Sequence, residues 1–398
     1  MIDRRWGMAV LLFIAGLINY FDRTIVSVAL PTIAEDLHLS PTRMGILLSA
    51  FFWSYSLMQV PIGWMCDRFN LRWLYAGCFA LWSLTCGLTG FANSLAVMVV
   101  LRVLLGIGES IYLPGGMKLV SVIFTPKDRG LASGLVNCGT RAGLAFGAPL
   151  IAALVIGYGW HNAFFILGFT SLLWLLPWVY FFPKGATTAT HASGSAAWSL
   201  AKVDRNLLGM SLAHIGYGYY FYLMVTWWPS YLVKVRHMSL QEGAGYLVVP
   251  YLTFTLGEPL GGWIADQMVA RGMDEIFSRK LIVSVSYLSA LLLVPAMYAE
   301  GHVATVAMMA GASLVGLSTA NIFALVQRIT RGGEVGFSIG VLNLAGNLSG
   351  VVAPIATGYI IEATGSYVPA FILAVVVLLA AIPIYWLMVK NPEAAPVQ

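Results

Sequence analysis

Asn19-Tyr20-Phe21-Asp22-Arg23 sets an acid beside a base inside a segment that otherwise reads as bilayer core. From Trp6 to Leu30 the only formal charges are Asp22 and Arg23, and the apolar run is long enough to span a membrane. An ionised side chain in lipid is costly, so such groups face a bundle interior, pair, and mark a transport route. The competing reading is a buried structural ion pair. A second ionisable set on another span, Arg102 and Glu109, favours transport.

The whole chain repeats that character. Its 398 residues are 59% hydrophobic and only 10% charged, with mean hydropathy +0.81. Soluble domains carry about 25% charged residues, so an all-α, polytopic membrane protein is expected. The net charge of +5 does not point to nucleic acid, because the bases sit in short inter-helix loops and no basic cluster is interleaved with aromatics. Met1-Ile2-Asp3-Arg4-Arg5 could open a signal peptide, but the apolar stretch behind it is too long and lacks a small-residue cleavage site; an uncleaved first span is expected. Cys66, Cys78, Cys86 and Cys138 have no metal-ligand spacing and read as inert buried thiols. No metal or cofactor is expected.

Apolar runs and their breaks predict twelve helices, at 6–32, 43–65, 71–92, 95–122, 129–156, 160–182, 205–234, 242–268, 279–299, 302–327, 336–362 and 367–389. The polar, Ser/Thr/Ala/Gly-rich stretch 184–203 falls at mid-chain and reads as a cytoplasmic linker between six-helix bundles 1–183 and 204–398. With the N-terminus inside, fifteen Lys and Arg residues fall on cytoplasmic positions and three outside, which predicts both termini in the cytoplasm.

The two halves echo each other. Gly63-Trp64-Met65-Cys66-Asp67 closes the second span and Gly262-Trp263-Ile264-Ala265-Asp266 the eighth, 199 residues later. Gly147-Ala148-Pro149-Leu150 in the fifth span answers Val352-Ala353-Pro354-Ile355 in the eleventh, and Gly159…Ala163-Phe164 answers Gly365…Ala370-Phe371. Two six-helix pseudo-repeats around a central cavity is an alternating-access architecture.

Arg102 and Glu109 are seven apart, hence on one helix face. With Asp22 and Arg23 they supply two acids and two bases near mid-membrane. Burial favours the protonated form of a carboxylate and a nearby arginine the ionised form, so a carboxylate balanced between them can carry a proton. Arginine keeps its charge and binds a carboxylate substrate bidentately. Arg141 in the fifth span is a further buried base, either for a second anionic group or for Glu109 or Glu258. Asp67, Arg68 and Arg72, in the turn after Gly63, with Asp266 of the second copy, are candidates for a latch between the halves. Tyr20, Tyr55, Tyr219 and Tyr222 complete a polar cavity with Asn343 and Asn347, which share a helix face.

These residues resemble the major facilitator superfamily over essentially the whole chain, and within it the anion:cation symporter family. The resemblance rests on Asn19–Arg23; on Gly63, Asp67, Arg68, Asn70 and Arg72; on Arg102-x-Leu104-Leu105-Gly106-Ile107-Gly108-Glu109 with Pro114 and Lys118; and on Asn343, Asn347, Gly350 and Pro354. It implies that Asp22 and Glu109 titrate, Arg102 couples to Asp22, Arg23 binds the substrate anion, and Tyr55, Asn343 and Asn347 contact cargo. Asn70 replaces a glycine of the loop pattern, Gln267 replaces the base expected after Asp266, and Arg141 is not a residue of the pattern.

The expectation is therefore a monomeric proton symporter of a bacterial inner membrane, importing a small organic anion, foremost a sugar acid such as a hexonate or hexuronate. The bacterial setting rests on the absence of an Asn-x-Ser/Thr site from the outer loops. An exporter or exchanger of an aromatic, dicarboxylic or sulfonated acid is the alternative, and a transporter-like ligand sensor a remoter one. No nucleophile–base set, metal cluster or phosphate loop suggests an enzyme.

Overall fold

The computed structural model describes residues 4–183, 204–330 and 335–391; the expected linker, 184–203, lies outside the described residues. Among these residues there are helices and turns and no strand. The chain runs through α1 (Arg4–Asp36), α2 (Pro41–Arg68), α3 (Leu71–Leu88) and α4, which is built from Leu95–Glu109 and Tyr112–Ile123. Helices α5 and α6 are the two parts of Pro126–Ser171 on either side of Gly159, and α6 continues to Phe181. Then come α7 (Arg205–Lys234), α8 (Leu240–Ala270), α9 (Glu275–Leu288, continuing to Ala296), α10 (His302–Ala312, continuing to Ile329), α11 (Val335–Thr364) and α12 (Val368–Met388).

Among the described residues, eight helical stretches are long and apolar enough to cross a membrane, nine with the bent α2. Two features reconcile this with twelve helices. The stretch Leu131–Phe181 holds 51 residues, enough for both α5 and α6. Helices α7 and α8 are interrupted by polar residues, yet their 30 and 31 residues reach about 45 Å at the helical rise.

The turns carry the repeat. Gly159 (φ 79°) breaks the chain between α5 and α6, and Gly365 (φ 67°) stands before α12; a side chain is disfavoured in that left-handed conformation. Behind them Ala163, Phe164, Ala370 and Phe371 are all buried. His38 and His237, 199 residues apart, both take positive φ in the turns after α1 and α7. Two residues on, Ser40 caps α2, and Ser239 caps α8 in a reciprocal pair with Glu242.

Contacts divide the described chain into two compact units. The first contains residues 4–183 together with Val225–Val248, and the second 204–224 together with Val249 onward. The end of α7 and the start of α8 thus group with the N-terminal helices, and the Lys234–Glu35 ion pair is one contact of that grouping.

In the first unit, α1 and α5 pack backbone to backbone. A Cβ at Gly139 would stand 2.2 Å from the Phe13 carbonyl oxygen, and one at Gly143 2.7 Å from the Tyr20 Cβ. Small residues permit this approach where lipid offers no hydrophobic drive. Helix α4 is held the same way on two faces. Gly106 abuts the Phe51 carbonyl and Ser54 of α2, and Gly108 abuts the Trp82 amide and Cys78 carbonyl of α3.

Candidate functional site

The close packing fixes where the charged residues of α1 and α4 meet. Ser54 Oγ donates to the Val103 carbonyl at 2.6 Å, pinning α4 nearly two turns before Glu109. Helix α4 loosens at Ser110–Ile111, directly after Glu109. Pro114 accounts for this, because it cannot return a hydrogen bond to the Ser110 carbonyl.

Glu109 is wholly buried, and its Oε2 accepts two hydrogen bonds at 2.8 Å each, from Arg23 Nε and from Asn19 Nδ2. Its Oε1 has no partner among the described residues. The Arg23 guanidinium lies among three aromatic rings, with Cζ 4.4 Å from Tyr55, 4.7 Å from Phe51 and 5.4 Å from Tyr20. Ring faces are attractive to a cation, so the group is cradled even without its carboxylate. Tyr55 itself stacks on Phe51.

Asp22 is 1% exposed and Arg102 4%. Arg102 reaches Asp22 at its main-chain oxygen, Nη1 to O 3.0 Å. The Asp22 carboxylate takes its hydrogen bond from Cys86 of α3, Sγ to Oδ1 3.1 Å. Asp22 Oδ2 and Arg102 Nη2 have no partner among the described residues. The four charges of the sequence thus come together, as an Arg23–Glu109 pair and an Arg102–Asp22 contact through the backbone.

Asn19 and Cys86 belong to this network: Asn19 stood in the opening motif without an assigned partner, and a thiol in an apolar span carried no sequence signal for it. The expectation of four inert buried thiols is corrected. Cys66 and Cys86 are buried, Cys78 is half-buried and Cys138 is exposed, and Cys86 is tied to an acid. Arg141 is half-buried on α5, two residues from the Gly143–Tyr20 contact.

In the second unit, Tyr222 Oη donates to Asn347 Oδ1 at 2.8 Å, and Asn343 is half-buried one turn earlier on the same face. Tyr217 and Thr319 hydroxyls meet at 2.9 Å.

The two closing aspartates are both paired. Asp67 pairs with Lys118 of α4 at 2.6 Å, and Asp266 with Arg279 of α9 at 3.0 Å, each within its own unit. Arg279 also holds Glu275, which reaches Arg328, so the second copy is the larger network despite Gln267. Arg68 stacks on Trp64, while Arg72 donates to the Val179 carbonyl and stacks on Trp73. Neither arginine is the partner of Asp67. Asn70, where the family pattern has glycine, caps α3 by accepting from the Arg72 amide. A Cβ at Gly63 would meet open space, so no close approach demands that glycine.

Residues 12–318 match the Major Facilitator Superfamily. The chain is 29% identical to the hexuronate transporter of Bacillus subtilis, over 91% of this chain and 89% of that one. It is 30% identical to the probable sulfoacetate transporter SauU of Cupriavidus necator, over 90% and 87%. It is also 30% identical to the probable galactarate/D-glucarate transporter GudP of Escherichia coli, over 99% and 96%. In structure it is similar to a bacterial homologue of the human lysosomal transporter Spinster, with TM-score 0.83, 19% identity and full coverage of both chains. With twelve helices in two pseudo-repeats and charged residues meeting inside the first, the chain is a multi-pass membrane transporter that belongs to the Major Facilitator Superfamily.

Proposed function

We propose that the protein is a proton-coupled symporter that imports a sugar acid, a hexonate or hexuronate, across a bacterial inner membrane with both termini in the cytoplasm. The observation that carries this reading is the shared Glu109 Oε2, which holds Arg23 and Asn19 together in a buried site. Protonation of Glu109 removes the charge that binds the guanidinium. Arg23, still cradled by Tyr20, Phe51 and Tyr55, is then released toward a substrate carboxylate. Asp22, with Arg102 on its backbone, is the second proton carrier.

Asn343 and the Tyr222–Asn347 pair offer amide and hydroxyl groups suited to sugar hydroxyls. The bundles 1–183 and 204–398 alternate access, and the protein works as a monomer. Gly63, Asp67, Arg68, Arg72 and Asp266 serve the cytoplasmic turns, where Lys118 and Arg279 tie the aspartates within each bundle. The hexuronate transporter among its relatives supports the substrate class. A dicarboxylic or sulfonated acid is the second reading. It is favoured by the half-buried Arg141 and by relatives named for galactarate, glucarate and sulfoacetate transport.

Proteoliposomes test the coupling. Glu109→Gln keeps substrate exchange and loses accumulation against a gradient, because the amide cannot carry a proton. Proton-driven accumulation at the wild-type level in that variant sinks the role given to Glu109.

A further inference from the structure

We infer that Cys86 is a positioning residue for Asp22: its thiol donates the hydrogen bond that holds and tunes the carboxylate, and so sets the pH range over which the transporter works. The inference rests on the proton-coupling reading above and assigns a part to a side chain that reading does not use. The thiol and the carboxylate are both buried, at 2% and 1% exposure, with Sγ 3.1 Å from Oδ1. The other carboxylate oxygen has no partner among the described residues, and Arg102 spends its bond on the main-chain oxygen of Asp22. The thiol is therefore the group that orients this carboxylate. The other ionisable groups acting on Asp22 are Glu109 and Arg102 of α4 and Arg23 of its own helix.

Cys86 is also rigidly placed. The next residue, Gly87, lies where α3 and α6 touch, since a Cβ on Gly168 would stand 2.0 Å from the Gly87 amide nitrogen. On the other side, Gly108 of α4 abuts the α3 backbone at Trp82. Helix α3 cannot slide against α4 or α6 without a clash, so the packing fixes Cys86 relative to those two helices.

A thiol is a weak donor. It therefore stabilises ionised Asp22 only slightly, and the carboxylate stays ready to accept a proton in spite of Arg102 and Arg23. A hydroxyl in its place favours the ionised form more, and a methyl group favours it less.

Two variants and one spectrum test this. Initial uptake is measured against pH in proteoliposomes of wild type, Cys86→Ser and Cys86→Ala, with proton movement recorded alongside. The expected midpoint moves to lower pH in the serine variant and to higher pH in the alanine variant, by roughly half to one pH unit, the worth of one hydrogen bond. Midpoints that stay at the wild-type value, or that move in the same direction, overturn the inference while leaving coupling intact. Absence of proton movement in the wild type overturns coupling and this role together. Should either variant fold poorly, the infrared S–H stretch is read in the folded wild type and in Asp22→Asn. An S–H band that shifts with Asp22→Asn supports the bond, and S–H bands that all stay unshifted overturn it.

Discussion

Arg23 shows what a single side chain contributes at this site. It binds Glu109 through Nε at 2.8 Å and lies among Tyr55, Phe51 and Tyr20. A lysine keeps the charge but offers neither the Nε donor nor a planar face, so Arg23→Lys is expected to weaken substrate binding by roughly 10- to 100-fold. Calorimetric titration of the purified variant checks this, and an unchanged Kd would remove Arg23 from the binding site. The charge inventory was legible because ionisable residues are rare in spans: Asp22, Arg23, Arg102 and Glu109 all announced themselves. Their pairing was not legible. Seven residues place Arg102 and Glu109 on one face, yet nothing in that spacing says that Arg102 takes a main-chain oxygen or that Asn19 shares the Glu109 oxygen. Asn19 stood in a recognisable motif and Cys86 in none, and the part each plays appears only once α1, α3 and α4 are in register.

That register belongs to the helices, and glycine sets it. Along α5, Gly139 and Gly143 let α1 approach until their missing Cβ atoms would collide with Phe13 and Tyr20, whereas Gly134 on the same helix faces open space. The contrast gives a matched pair. Gly139→Ala places a Cβ 2.2 Å from a carbonyl oxygen that cannot turn aside, and an overpacking cost of about 1–3 kcal/mol or more is expected. Gly134→Ala is expected to be neutral or to stabilise by up to about 1 kcal/mol, since alanine is the better helix former. Thermal unfolding in detergent distinguishes them. Equal midpoints for the two variants would mean that α1 and α5 are not packed as closely as described. The helix count and most boundaries followed from hydropathy, as with α7, whose observed Arg205–Lys234 is the predicted range. Which glycine carries a contact did not follow from it. Gly63 stands in a recognisable motif and has open space beside it, while Gly168, outside any motif, touches α3.

For the whole molecule the question is which cargo the repeat serves, and duplication alone does not answer it. The halves share turns, caps and closing aspartates, but Arg23, Arg102, Asp22 and Glu109 all sit in the first unit, whereas in the second Tyr222 meets Asn347. Ligand that binds the folded state stabilises it by about 2.7 kcal/mol at a hundred times its Kd. A panel of organic acids read by thermal unfolding at acidic and neutral pH is therefore expected to show its largest shifts with hexonates and hexuronates, larger at acidic pH, where protonated Glu109 leaves Arg23 for the substrate. Shifts confined to dicarboxylates or sulfonates would instead assign the second anionic group to Arg141, and Arg141→Gln should then abolish them while sparing any response to monocarboxylates. Stabilisation by hexonates that is equal at both pH values would keep the cargo and remove protonation as the step that precedes its binding.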